Sequence, residues 1–249
     1  MIEFDKLSDF FKNIHPFTKE DKELYLDLHM HTYASDGFNK EDFFIDFLKD
    51  KEHLISITDH NEIRGSVALK DKGLNIVPGI ELGFIDGFEL LIYFNTMQEL
   101  EEFYIREVEP HKHRYRMART NKDVFYFLDL LKNRQCHISV PHINGLAQKN
   151  FIQNKEYIKD ILLRVDSVET YNHTLTKKRN LTAKRIRKHY DLTATFGSDA
   201  HINREIKSYH RFLNEEEKKH HKLVDTLYKL PMISGIGQKH LFHAILNKK

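Results

Sequence analysis

Short apolar runs, most of them followed within a few residues by a histidine or an acidic residue, constrain this chain more than any other feature. Residues 24–28, 54–58, 75–78, 88–94, 137–140, 167–169 and 193–196 are each of strand length and too short for a helix. Residues 81–84 and 88–94 are expected to pair as a hairpin across Ile85-Asp86-Gly87, because Asp-Gly favours positive φ. Between the runs lie helical stretches. The spacing predicts a helix over 40–51 carrying Phe43, Phe44, Phe47 and Leu48, and one capped by Asn121 with Val124, Phe127, Leu128 and Leu131 on one face. A basic helix is expected around 176–189, a charged helix over 215–230, a short strand at 232–234 and a last helix over 239–246. Strands alternating with helices imply βα units and a parallel sheet, and about seven such units favour a closed or nearly closed barrel over an open sheet. No Pro/Gly/Ser-rich linker divides the chain, so a single domain is the simpler reading. Ahead of it, residues 1–23 form an extension in which Phe4, Leu7, Phe10, Phe11 and Ile14 share one helical stripe. Docking on the barrel is its expected role, and binding a partner is the alternative.

Composition narrows the class. Apolar residues make up 40% and aromatic residues 12% of 249 residues, enough for a sizeable core. No apolar stretch approaches the roughly 18 residues of a membrane span. The acidic start of the chain lacks the layout of a secretory signal, and the one cysteine, Cys136, suits a reducing cytoplasm. The net charge of +2 argues against nucleic-acid binding by the whole surface. Two basic clusters, 111–119 and 177–188, read first as solvated faces. Histidine is the anomaly, at 17 residues.

The polar residues that matter follow the runs, where barrel folds place their active sites. After the first run comes Asp27-Leu28-His29-Met30-His31, with Asp36 close behind. Two histidines at i, i+2 in extended chain point to the same side and can reach one metal ion. Thr58-Asp59-His60-Asn61, Pro78-Gly79-Ile80-Glu81, Pro141-His142, Glu169-Thr170-Tyr171-Asn172 and Gly197-Ser198-Asp199-Ala200-His201 follow later runs. A lone His-x-His in a histidine-rich chain is more often an accident than a ligand pair. Here, however, imidazoles and carboxylates recur at one end of consecutive strands. Burying so many ionisable groups near one axis is very costly without cations to neutralise them.

In these motifs the chain, from about Tyr25 to His201, resembles the PHP (polymerase and histidinol phosphatase) family of metal-dependent phosphoesterases. The resemblance implies an α/β fold, a single distorted (β/α)7 barrel over 24–249, with the metal site at the C-terminal ends of the strands. It implies two or three divalent ions, zinc, manganese or iron. Carried over by position, His29, His31, Glu81 and Asp199 hold one metal. Glu81, as a bridging carboxylate, and His142 serve a second, and Asp36, His60 and His201 hold a third. Asp59, Glu169 and Asn172 match motif neighbours that support the ligands from behind. One departure stands out: Glu89 occupies the place of a common family histidine in Phe88-Glu89-Leu90-Leu91-Ile92-Tyr93. Either it ligates through oxygen, which shifts preference toward manganese or iron(II), or it points away and leaves the second metal weakly held or absent.

The reaction implied is hydrolysis of a phosphoester, with metal-bound hydroxide attacking phosphorus in line. His60 or His201 is the nearest general acid for the leaving oxygen. Arg114, Arg116 and Arg119, in a small insertion at about 95–122, and Arg64 are the expected phosphate binders. Asp36 stands where the histidinol-phosphatase branch usually has histidine, which argues against that substrate. The layout is closer to the branch of nucleotide phosphatases, exonucleases and polymerase-associated domains. The leading expectation is a phosphoesterase acting on a small phosphorylated metabolite or nucleotide. The alternatives are an exonuclease on single-stranded DNA or RNA ends, tracking along 177–188 with Tyr171 or Tyr115 stacking on bases, and a metal-stabilised partner subunit without turnover.

Overall fold

A computed structural model of the chain describes residues 7–13, 24–214 and 222–248. Seven strands form: β1 (Leu24–Met30), β2 (Glu52–Ile57), β3 (Gly79–Gly83), β4 (Glu89–Phe94), β5 (Cys136–Val140), β6 (Ser167–Asn172) and β7 (Thr193–Gly197). The helices are α1 (Leu7–Asn13), α2 (Glu41–Leu48), α3 (Arg64–Asp71), α4 (Met97–Phe103), α5 (Val124–Leu131), α6 (Phe151–Asn154), α7 (Ile158–Leu162), α8 (Lys177–His189), α9 (Asn203–Leu213) and α10 (Lys222–Leu246). Among the described residues no helix is long and apolar enough to cross a membrane.

The expected single closed barrel is not what forms. The fold is α/β, but β1 and β2 make a two-stranded parallel sheet, and β3-β4-β5-β6-β7 make a separate mixed sheet of five. Two causes are visible. First, the hairpin predicted across Asp86-Gly87 does form, with Gly87 at φ +82°, and it sets β4 antiparallel to both β3 and β5. That interrupts the βα alternation on which a barrel depends. Second, the seams between the sheets are reduced to isolated bridges, Ile55 to Ile76, His60 to Glu81 and Met30 to Ala200. Near these seams Asn61, His142 and Asp199 adopt positive φ (49°, 29° and 53°), which turns the backbone out of the extended conformation.

Other local expectations shift for equally specific reasons. Residues 75–78 form no strand; Ile76 makes a single bridge. The cap of α5 is Asp123, which accepts from the Tyr126 amide at 2.9 Å, because Asn121 is held in the preceding loop by donating to the His111 carbonyl. The four apolar residues predicted for that helix are all buried. The strand at 232–234 and the separate helix at 239–246 are instead one helix, α10, which runs through Pro231. Gly235 seats it on the Phe38 ring, where a Cβ would lie 2.8 Å from the ring carbon Cζ. The helix expected over 215–230 falls partly on residues 215–221, outside the described residues. So do Phe4 and Ile14.

The core is rich in phenylalanine. Phe84, Phe88, Phe94, Phe103, Phe127 and Phe151 are fully buried around β3–β5, and Phe44 and Leu48 of α2 pack behind β1 and β2. Leu7 and Phe11 of α1 are buried in a third cluster with Leu28, Tyr93 and Phe196. Phe11 stacks on the His137 ring at 3.8 Å, and His137 Nε2 shares a hydrogen bond of 2.9 Å with Ser167 Oγ.

Burial pushes the His137 pKa down from 6.5 to about 3. Below pH 6.5 the unfolded chain therefore takes up a proton that the native chain refuses, and stability falls as the pH drops from 6.5 toward 3. His137→Asn is expected to be less stable than the parent at pH 7. The gap should narrow by about 1.4 kcal/mol per pH unit on acidification through that window. Urea titrations at a series of pH values measure the gap, and a constant difference would contradict a histidine buried in its neutral form.

Candidate metal centre

The strand ends deliver their side chains to one point because the ladders are irregular there. The β1–β2 register shifts between Asp27 and Met30, and the β6–β7 register shifts between Glu169 and Tyr171. Such irregularities re-aim side chains next to a site. At the centre is Glu81, fully buried. Its Oε2 lies 3.3 Å from His29 Nε2, 3.2 Å from His31 Nε2 and 3.3 Å from His60 Nδ1, and its Oε1 lies 3.0 Å from His142 Nε2. Asp199 Oδ1 is 3.5 Å from His29 Nε2 and 3.4 Å from His31 Nε2. Asp36 faces His60 Nε2 at 3.6 Å and His201 Nε2 at 3.4 Å.

The donor atoms fall into groups close enough to share an ion: His31, Asp36, His60 and His201; His29, Glu81 and His142; His29, His31 and Asp199; His60, Glu81 and Glu89. The structure thus brings together all nine residues read as ligands in the sequence. Several buried polar atoms here have no hydrogen-bond partner: His31 Nδ1, His60 Nδ1, His142 Nδ1, Asp199 Oδ1 and Glu89 Oε2. Unsatisfied buried donors and acceptors are rare, and a mixed imidazole–carboxylate set is what zinc, manganese and iron(II) accept. The residues fit divalent cations.

The residues behind the donors are as ordered. Glu169 Oε1 receives His29 Nδ1 at 2.8 Å, which turns Nε2 of that ring toward Glu81, and its Oε2 accepts from the His142 amide at 2.7 Å. Asn172 Nδ2 donates to Glu169 Oε2 at 2.9 Å and to Asp199 Oδ2 at 3.1 Å. Asp59 accepts from the Thr32 amide, the Thr32 hydroxyl and the Ser35 hydroxyl, pinning the loop that carries Asp36.

Electrostatics in the metal-free chain follow from this packing. Burial alone would discharge Asp36, Glu81 and Asp199, but the facing imidazoles outweigh it and hold all three well below the usual carboxylate range. Burial likewise opposes charge on His29 and His31, yet the carboxylates lift both, His31 to about 10. His60 goes the other way: burial pushes it down to about 4 despite Glu81 and Asp36. Protonated rings thus balance the acids, a charge that a divalent ion supplies when it binds neutral imidazoles.

The four arginines separate. Arg119 reaches the centre, donating to Glu89 Oε1 at 2.7 Å. Arg64 pairs with Glu62 at 2.9 Å instead, and Arg114 and Arg116 have exposed side chains. Two charged or titratable residues beside the centre escaped the sequence reading. Lys149 Nζ lies 3.2 Å from Glu89 Oε2, and His240 Nε2, from α10, lies 3.5 Å from Asp36 Oδ2. Neither sits in a strand-end motif. Lys239 beside His240 donates to the carbonyls of Ser35 and Gly37, so α10 is fastened to the Asp36 loop.

Comparison with known proteins accords with this geometry. Residues 177–229 match the family model described as PHP-associated. Among solved structures, a candidate metal-dependent phosphoesterase from Bifidobacterium adolescentis is 14% identical with a TM-score of 0.54, covering 71% of this chain and 87% of its own. A two-domain protein from Bacteroides vulgatus, containing a predicted PHP-like metal-dependent phosphoesterase, is 17% identical with a TM-score of 0.53, covering 74% of this chain and 53% of its own. The lesion-specific endonuclease of Pyrococcus furiosus is 15% identical with a TM-score of 0.55, covering 71% of this chain and 48% of its own. The chain therefore spans about half the length of the last two. No curated protein matches it in sequence. The chain shares the PHP-type fold and carries a PHP-associated segment, and the resemblance read from its motifs is borne out.

Gly197 marks how tightly the centre is built. A Cβ there would lie 2.4 Å from His29 Cβ and 2.7 Å from the His29 amide nitrogen. Gly197→Ala is expected to push β1 and β7 apart, destabilising the chain by about 1–3 kcal/mol. Thermal melting of the metal-free chain should register a loss of several degrees. An unchanged midpoint would mean that the strands are not in this contact.

Proposed function

We propose that the chain is a metal-dependent hydrolase of phosphoesters, acting on a small phosphorylated metabolite or nucleotide. The observation that carries this reading is the convergence of four imidazoles on the two oxygens of one buried carboxylate, Glu81. Two or three divalent ions, zinc, manganese or iron, suit the donors. His29, His31, Glu81 and Asp199 would hold one, and Asp36, His60 and His201 another; Glu81, His142 and Glu89 form the remaining corner. Bound there, such ions lower the pKa of water and draw charge from phosphoryl oxygens.

The protein's own groups do the rest. Glu169 keeps His29 in one tautomer, and Asp59 holds the Asp36 loop. Of His60 and His201, His201 lies nearer the surface, and it can hand a proton to the leaving oxygen only where its ring does not hold an ion. Its side chain is 11% exposed against 2% for His60. In the metal-free chain, burial and His31 press its pKa down, but Asp36 and Asp199 prevail and raise it. Arg119 and Lys149 bring positive charge to the same edge, where a substrate phosphate needs it.

His29→Ala and Asp199→Ala are each expected to lower hydrolysis of aryl phosphate mono- and diesters by at least about 100-fold while the circular dichroism spectrum is kept. Chelated wild-type protein should regain activity with added manganese or zinc. Wild-type turnover in both variants would reject this site, and failure of every metal to restore activity would favour a partner subunit without turnover.

A nuclease reading has one observation in its favour: α8 exposes Lys177, Lys178, Lys184, Arg185 and Lys188. If it holds, short single-stranded oligonucleotides should be cleaved faster than mononucleotides, with an apparent affinity that falls steeply with salt. A flat salt response would leave the small-molecule reading alone.

A further inference from the structure

Glu89 is where the donor set changes from the family's nitrogen to oxygen, and its surroundings give that change a purpose. It is buried at the start of β4, paired in register with Gly83. Oε1 accepts from Arg119 at 2.7 Å. Oε2 lies 3.2 Å from Lys149 Nζ, an ion-pair contact rather than an aligned hydrogen bond, and 3.5 Å from His142 Nε2. One buried carboxylate thus faces two side-chain cations.

Lys149 is aimed there by its backbone. It ends a 3-10 turn, Ala147–Lys149; its amide donates to the Leu146 carbonyl, and its carbonyl accepts from the Gly145 amide. Any side chain at position 145 would meet that carbonyl, since a Cβ would lie 2.5 Å away. The Lys149 side chain is 37% exposed overall, while its partner is buried.

We propose that the Lys149 ammonium takes the place of a divalent cation at the corner formed by Glu81, His142 and Glu89, so that the centre holds two divalent ions rather than three. The proposal rests on the metal-dependent reading above. A divalent ion on Glu89 Oε2 would sit against the ammonium and close to the Arg119 guanidinium, and like charges at such distances repel strongly where water is excluded. The donor groups His29 with His31 and Asp199, and His31 with Asp36, His60 and His201, use neither Glu89 nor His142 and keep their ions; the group of His29, Glu81 and His142 shares His29 with the first of these and adds no further ion. Exchanging histidine for glutamate creates the anion that the ammonium needs. Lysine and glutamate together replace an ion and its imidazole.

The test is metal content. The full chain is stripped with chelator, reconstituted with manganese(II) or zinc(II), desalted and analysed for ions per chain by plasma mass spectrometry. The expected result is two for the wild type and three for the double variant Glu89→His/Lys149→Met, which restores the imidazole and removes the ammonium. Three ions in the wild type would overturn the proposal alone. So would two in a double variant that melts cooperatively. No bound ion in the wild type would overturn the metal-dependent reading together with it. The wild-type count needs no variant to fold.

Discussion

Glu81 is the group on which the structure depends. Isolated in a protein interior, a carboxylate is among the costliest groups to bury. Here four rings from three separate stretches of chain surround it, so the interior tolerates the charge only while β1, the segment after β2, β3 and the turn after β5 are all in place. The irregular ladders make sense in that light. Regular pairing continued through residues 27–30 and 169–171 would satisfy backbone groups at the expense of the directions that the side chains must take. Positive φ at Asn61, His142 and Asp199 belongs to the same compromise.

Polar contacts behind the donor atoms turn proximity into order. Glu169 is shared among the His29 ring, the His142 amide and Asn172, and Asn172 also reaches Asp199. β1 of the two-stranded sheet and the turn after β5 are thereby tied to one carboxylate on β6. Networks of this kind fix tautomers as well as positions, which a metal-binding imidazole requires.

Much of the site was legible in the sequence, because its residues follow strand-like runs and strand direction brings such residues to one end. His29, His31, Glu81, His142 and Asp199 needed no knowledge of how the strands pair. The closed barrel was not legible in the same way. Alternation of elements is a statement about neighbours in sequence, whereas closure depends on hydrogen bonding between β2 and β3 and between β1 and β7, where isolated bridges replace ladders. Nor does a local rule foresee a helix through Pro231, since tertiary contacts at Gly235 and Lys239 compete with the cost of the missing amide. Lys149 and His240 lie outside any motif; only the fold reveals that a turn and a distant helix point them at acids. The arginines carry charge whose direction no local pattern reveals, and Glu62 claims Arg64.

The sequence separations of these contacts have a kinetic corollary. His29 meets Glu169 across 140 residues, Ser198 meets Asp27 across 171, and Lys239 meets Ser35 across 204. Closing loops of this length costs entropy before any contact repays it, and folding slows as the mean separation of contacts grows. Unlike the local hairpin across Asp86-Gly87, the centre is complete only when such distant contacts are made. A nascent chain still short of α10 lacks the helix that fastens the Asp36 loop, so residues some 204 positions downstream are among those that finish the first motif.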